Sequence, residues 1–141
     1  MIKAADKEPT MYEITVKTHN QTDMIDITAQ VRAAVKKSGT ASGTCTVFVP
    51  HTTAGVTINE NADPAVMRDI LMEVNKVIPF TDGYRHMEGN SAAHIKSSIF
   101  GCSETVLLEN GSLMLGTWQS IFFCEFDGPR TRKAWIQITG T

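Results

Sequence analysis

The sequence carries four histidines, His19, His51, His86 and His94. His51 stands where Pro50 breaks a β-rich run, just before Thr52-Thr53. His86 lies in a polar stretch with Glu88, and His94 in a short stretch of helical character. Imidazoles from a strand end, a loop and a helix can converge on one metal ion, as three protein ligands do in catalytic zinc sites. They can equally act as acid and base near neutral pH. His86 and His94 are eight residues apart, which is neither the HExxH interval nor a zinc-finger spacing. Spacing alone therefore favours three unrelated side chains. His19, beside Asn20 and Gln21, is expected to be exposed.

Two carboxylates stand out. Glu60 sits in the polar cluster Asn59–Asp63 and has no capping role, so it can orient a histidine or simply be solvated. Glu125 ends the run Ile121-Phe122-Phe123-Cys124-Glu125-Phe126, in which both strand faces are apolar. A carboxylate there needs a partner or a raised pKa. It is a functional candidate, or it pairs with an arginine such as Arg130. Anion binding has modest support. The start of the Ser91–Phe100 segment offers free backbone N–H groups, and Lys96, Ser97 and Ser98 add donors. Arg85, Arg130 and Arg132 fall in or near turns, and each taken singly reads as solvated. Trp118, in Gly116–Gln119, is expected to pack as core or line a pocket.

These residues need elements to hold them. Tyr12–Lys17 alternates as a strand with one wet face. Thr28 is placed to cap a helix through Lys37. Thr44–Val49 and Thr53–Ile58 read as strands on either side of Pro50. Asp63-Pro64 opens the clearest helix, with Val66, Ile70, Val74 and Val77 on one face. Ser91–Phe100 is a short helix before Gly101. Glu104–Glu109 and Ser112–Leu115 flank the hairpin turn Asn110-Gly111. Ser120–Phe126 and Thr131–Thr139 are expected to pair around Asp127-Gly128-Pro129. The order predicts an α+β fold: an antiparallel β-rich core ending in a four-strand meander, with two main helices and one short one. Residues 1–11 read as a flexible tail, and 12–141 as one domain.

With 141 residues, the chain suits one domain. The net charge is −2, which removes the electrostatic footprint of general nucleic-acid binding. No apolar run approaches the ~20 residues of a membrane span. The N-terminus has no signal-peptide pattern. Three cysteines, Cys45, Cys102 and Cys124, form no CxxC pair and are expected to be small buried apolar groups. A cytoplasmic location is the expectation.

Three motifs together resemble one family. The first runs His51-Thr52-Thr53-Ala54-Gly55-Val56-Thr57-Ile58-Asn59-Glu60-Asn61-Ala62-Asp63-Pro64. The second is Tyr84-Arg85-His86-Met87-Glu88-Gly89-Asn90 with His94–Ser98. The third is Glu109–Gly111, then Leu115-Gly116-Thr117-Trp118-Gln119 and Glu125–Arg130. In this order they resemble the YjbQ-like family, and the likeness spans about Tyr12 to Thr139. The resemblance implies a compact α+β subunit in a homotrimer and a secondary thiamine-phosphate synthase activity. It also implies a site at His51, His86 and His94 that can hold Zn²⁺ or another divalent metal, with Glu125 as the strand-end acid.

Three functions then compete. In the first, a transferase forms thiamine phosphate slowly, with Lys96, Ser97, Ser98, Arg130 and Mg²⁺ helping a diphosphate to leave. In the second, a metal-dependent hydrolase acts on a small phosphorylated metabolite, with Glu125 or Glu60 as base. In the third, a non-enzymatic trimer binds a small anionic metabolite.

Overall fold

The structure, a computed structural model, describes residues 11–141. The elements in chain order are β1 (Met11–Lys17), β2 (Asp23–Asp26), α1 (Thr28–Ser38), β3 (Gly43–Phe48), β4 (Ala54–Glu60) and α2 (Pro64–Val77). They continue with α3 (Ser91–Phe100), β5 (Ser103–Glu109), β6 (Ser112–Leu113), β7 (Gln119–Glu125) and β8 (Thr131–Gly140). The expected tail over residues 1–11 lies outside the described residues except at Met11, which is the first residue of β1.

The strands form two antiparallel sheets, one ordered β1-β8-β3-β5-β6 and the other β2-β7-β4. Their facing sides and α1 share one core. It includes Val16, Val47, Val106 and Ile136 from the larger sheet, Val56, Ile121 and Phe123 from the smaller, and Val31 and Val35 from α1. Each such side chain contributes about 1.5–3 kcal/mol by leaving water. The far side of the smaller sheet is covered by helices, with Cys124 and Phe126 packed against Ala93 and Phe100 near α3 and Leu71 of α2. This explains why β7 is apolar on both faces: it is the middle strand of a sheet covered on both sides.

Three expectations need correction. The C-terminal strands are not a meander, because β7 and β8 lie in different sheets and do not pair. The turn signal at Asp127-Gly128-Pro129 is a crossover between layers instead of a hairpin. Thr28 is not an N-cap. The capping position is Ile27, without a side-chain hydrogen bond, and Thr28 Oγ1 accepts the Ile121 N–H at 2.8 Å, tying α1 to β7. On α2, Met67 is buried while Val77 is 69% exposed. The packed stripe is therefore rotated from Val66–Val77 toward Met67 and Leu71. The short strand β2 gave no alternation and escaped notice.

Asn110-Gly111 does form the expected two-residue turn, with positive φ at both positions (52° and 74°). Asp63 caps α2 as expected, accepting the Ala65 N–H at 2.9 Å.

Candidate functional site

The chain passes between the two sheets at one end of the molecule. The segment after β3, Val49–Thr53, leads from the larger sheet to the smaller, and Phe126–Arg130 leads back. They are adjacent because Ala54, at the start of β4, pairs with Glu125, at the end of β7. A cleft of about 590 Å³ opens there, and His51, His94, Asn90, Asp127, Arg130 and Arg132 are among its lining residues.

The inner wall is a buried ion pair. Glu125 is fully buried and Arg132 is 3% exposed. Arg132 Nε donates to both carboxylate oxygens at 2.9 and 3.1 Å, and Nη2 donates to Oε2 at 2.5 Å. Nη2 also donates to Oγ1 and the carbonyl of Thr53 at 2.8 and 3.2 Å. Glu125 further accepts from Thr18 Oγ1 at 2.8 Å and from the Asp127 N–H at 3.1 Å. Burial raises the Glu125 pKa, but the bonds from Arg132, Thr18 and Asp127 outweigh it and hold the carboxyl below the ordinary range. Glu125 is thus an ionised, committed acceptor.

His51 is fixed differently. Its Nε2 accepts the Lys133 backbone N–H at 3.0 Å, so the ring proton of the neutral form sits on Nδ1. Burial, then the neighbouring Arg132 charge, lower its pKa from the usual histidine value. Near the mouth, Arg130 Nε donates to the Asp127 carbonyl at 2.9 Å and Nη2 to Asp127 Oδ2 at 3.1 Å. Asn90 Nδ2 donates to the same Oδ2 at 2.9 Å.

The remaining candidates are dispersed. His86 meets His94 edge-on, with ring centroids 5.3 Å apart. His86 lines a neighbouring groove with Tyr84, Arg85 and Ser91, where His94 is the shared wall. Glu60 lines a separate cavity beside Asp23, Asp26 and Met67, and is not brought to the histidines. Lys96 is fully buried. Its Nζ donates to Asn75 Oδ1 at 2.7 Å and lies 3.8 Å from the Phe80 ring centre. Ser97 Oγ donates to the Ala54 carbonyl and Ser98 Oγ to the His94 carbonyl. Lys96 and Ser97 therefore anchor α3, and Ser98 bonds back to its own helix.

The sequence model of the UPF0047 protein YjbQ-like family matches residues 12–141. The chain belongs to the YjbQ-like UPF0047 family. UPF0047 protein YugU of Bacillus subtilis is 53% identical over 128 residues, covering 90% of this chain and 97% of that protein. UPF0047 protein MJ1081 of Methanocaldococcus jannaschii is 47% identical over 130 residues, covering 92% and 94%. A crystal structure of a family protein from Clostridium acetobutylicum superposes with a TM-score of 0.90 at 55% identity, covering 91% of this chain and 99% of that one. A protein of unknown function from Sulfolobus solfataricus gives 0.89 at 35% identity, covering 93% and 96%. The two solved structures share the α+β fold with an antiparallel core.

As a zinc site within one chain, the three histidines of this YjbQ-like protein do not fit. Among the described residues no group of three or more His, Cys, Asp and Glu side chains is placed to hold a metal ion. The lone pair of His51 Nε2 already accepts a backbone proton. Arg132 reads in the sequence as a solvated residue near a turn, and the structure buries it at 3% exposure. It shares strand parity with Ala134, Ile136 and Ile138, all buried, and that alternation was the available signal. Thr53, Asn90 and Asp127 lie within the three motifs, but nothing local in the sequence joins them or Thr18 to their partners, because those bonds form between distant segments. Trp118 is 62% exposed and lines no part of this cleft. No helix among the described residues is long and apolar enough to cross a membrane.

Proposed function

We propose that this YjbQ-like chain binds a small phosphorylated metabolite in the cleft and acts as a slow transferase of the thiamine-phosphate-forming type. In that reaction the C–O bond of a pyrimidine-methyl diphosphate breaks and its electron pair leaves on the diphosphate. The ring nitrogen of a thiazole phosphate supplies the pair for the new C–N bond. The nitrogen attacks as a lone pair, so no general base has to remove a proton. What the chemistry needs is stabilisation of charge on the departing diphosphate.

The observation that carries this reading is the commitment of Glu125. The carboxylate a hydrolase would use as base is bonded to Arg132, Thr18 and Asp127. The other candidate, Glu60, lines a different cavity. The cleft offers guanidinium and imidazole groups from Arg130, Arg132, His51 and His94, which favours handling a leaving anion over activating a water.

The test is direct. Purified protein with both substrates and Mg²⁺ is expected to form thiamine phosphate slowly, detected after oxidation to its fluorescent product. Arg130→Ala is expected to reduce the rate. No product after long incubation at high enzyme would sink the transferase. Stabilisation by phosphates without turnover would leave the non-enzymatic binder. The homotrimer belongs to the same proposal, and light scattering is expected to give the mass of three chains.

A further inference from the structure

We infer that the inner end of the cleft is a two-donor oxyanion subsite, formed by Nη1 of Arg132 and the Nδ1–H of His51. The inference rests on the reading that the cleft takes an anionic metabolite, and adds which atoms hold the anion.

Arg132 is a cation withdrawn from water, at 3% exposure. Its hydrogen bonds occupy Nε and Nη2. Among the described residues none engages Nη1, yet this nitrogen is not among the enclosed unpartnered atoms. An arginine in the cleft wall therefore keeps one edge of its fork open to the cleft. A guanidinium buried on one side with one edge open to the cleft presents directed N–H donors that an anion can take in place of water.

His51 supplies the second donor. With Nε2 accepting from Lys133, the neutral ring can only donate, and it donates from Nδ1. The two donors are locked to each other before any ligand arrives. Lys133, which holds His51, is the next residue to Arg132, and Thr53, two residues beyond His51, holds Arg132 Nη2. The same two segments are thus tied twice. Such preorganised donors cost no rearrangement when charge arrives.

Glu125 shapes the selectivity. It cancels the Arg132 charge locally, so an anion is held by directed N–H bonds more than by net positive charge. The ligand class is an oxyanion able to accept two converging N–H bonds, which a phosphate and a carboxylate both are. The experiment separates them by using inorganic phosphate and acetate as probes.

Calorimetric titration of the full chain is expected to show saturable binding of phosphate. His51→Gln keeps an acceptor for the Lys133 N–H and replaces the ring Nδ1 donor by an amide N–H₂ on a more flexible side chain, whereas His51→Leu supplies no donor at all. Arg132→Lys keeps the charge and loses the planar fork. Each is expected to weaken binding about tenfold, while Arg32→Gln, which removes a positive charge from the exposed face of α1, leaves it unchanged. The same pattern with acetate in place of phosphate supports the subsite as a carboxylate site. Absence of saturable binding by either probe overturns it, as does equal binding by wild type and a His51→Leu variant that keeps the wild-type circular dichroism spectrum. The two readings fail separately. Phosphate binding that depends on His51 without any thiamine phosphate formed refutes the transferase alone. Product formation with an unchanged KM in His51→Leu and Arg132→Lys refutes the subsite alone.

Discussion

Arg132 and Glu125 meet across the two sheets, one from β8 and one from β7, with Nη2 2.5 Å from Oε2 and both side chains out of water. Six residues, Phe126–Thr131, separate the two partners along the chain. A buried ion pair at such a point is a poor source of stability, because desolvation offsets most of the attraction. It does fix direction. The guanidinium plane is set by bonds to Glu125 and Thr53, and one edge is left facing the cleft.

Removing one partner leaves the other charge buried alone. Arg132→Met and Glu125→Leu are each expected to lose about 3–5 kcal/mol in urea unfolding, while the double change Glu125→Leu with Arg132→Met loses much less than their sum. Additive losses in the double variant would contradict this account.

The same pair predicts an acid limb. The Glu125 pKa is lowered in the folded protein, so its contribution is fully present above the unfolded value, 4.5. It is lost as pH falls through the lower folded value. Stability of the wild type is expected to drop more steeply than that of Glu125→Gln below about pH 4.5. Parallel curves would reject the assignment.

Lys96 predicts a basic limb of opposite origin. Burial lowers its pKa from 10.5 to about 8. Between those values the unfolded chain binds more protons, so stability rises with pH, by roughly 3 kcal/mol across the window. Lys96→Met is expected to abolish that rise, measured as the difference between wild-type and variant unfolding at pH 7.5 and pH 10.

Gly55 lies where β4 meets the end of α3. A Cβ there would stand 2.6 Å from the Gly101 carbonyl oxygen, a backbone atom. Gly55→Ala is expected to cost about 1–3 kcal/mol and to lower the melting temperature; an unchanged value would show that α3 yields freely.

The cysteines divide by burial. Cys45 and Cys124 are buried and Cys102 is exposed, and burial pushes the Cys45 thiol up to about 11. A thiol reagent is expected to modify Cys102 in the folded protein and the other two after unfolding. Rapid modification of all three in native buffer would contradict the packing.

Much of the scaffold was legible because local chemistry writes it. Asp63-Pro64 opened α2, Asn110-Gly111 turned a hairpin, and alternation marked β1. Glu125 was legible as a carboxylate in need of a partner. An arginine partner was among the alternatives open to it, with Arg130 as the example, and the structure supplies Arg132 instead. Arg132, two residues on, points inward with Ala134 and Ile136. A lysine beside serines on a helix offers modest support for an anion site and, taken singly, reads as solvated; the structure buries Lys96. Its surroundings, Asn75 and Phe80, come from α2 and the segment after it, and no local pattern reports them.

The sequence by itself determined the α+β class, most of the elements and, through its three motifs, the family. These follow from periodicity, turn chemistry and residue identity, which act over a few neighbouring positions. Only the tertiary structure decided that β7 and β8 enter different sheets. That choice is made by burial: β7 needs both faces covered, β8 needs one face wet, and no single sheet here offers both. The same crossover joined Glu125 to Arg132, set Lys133 against His51, and left Glu60 and Lys96 apart from the cleft.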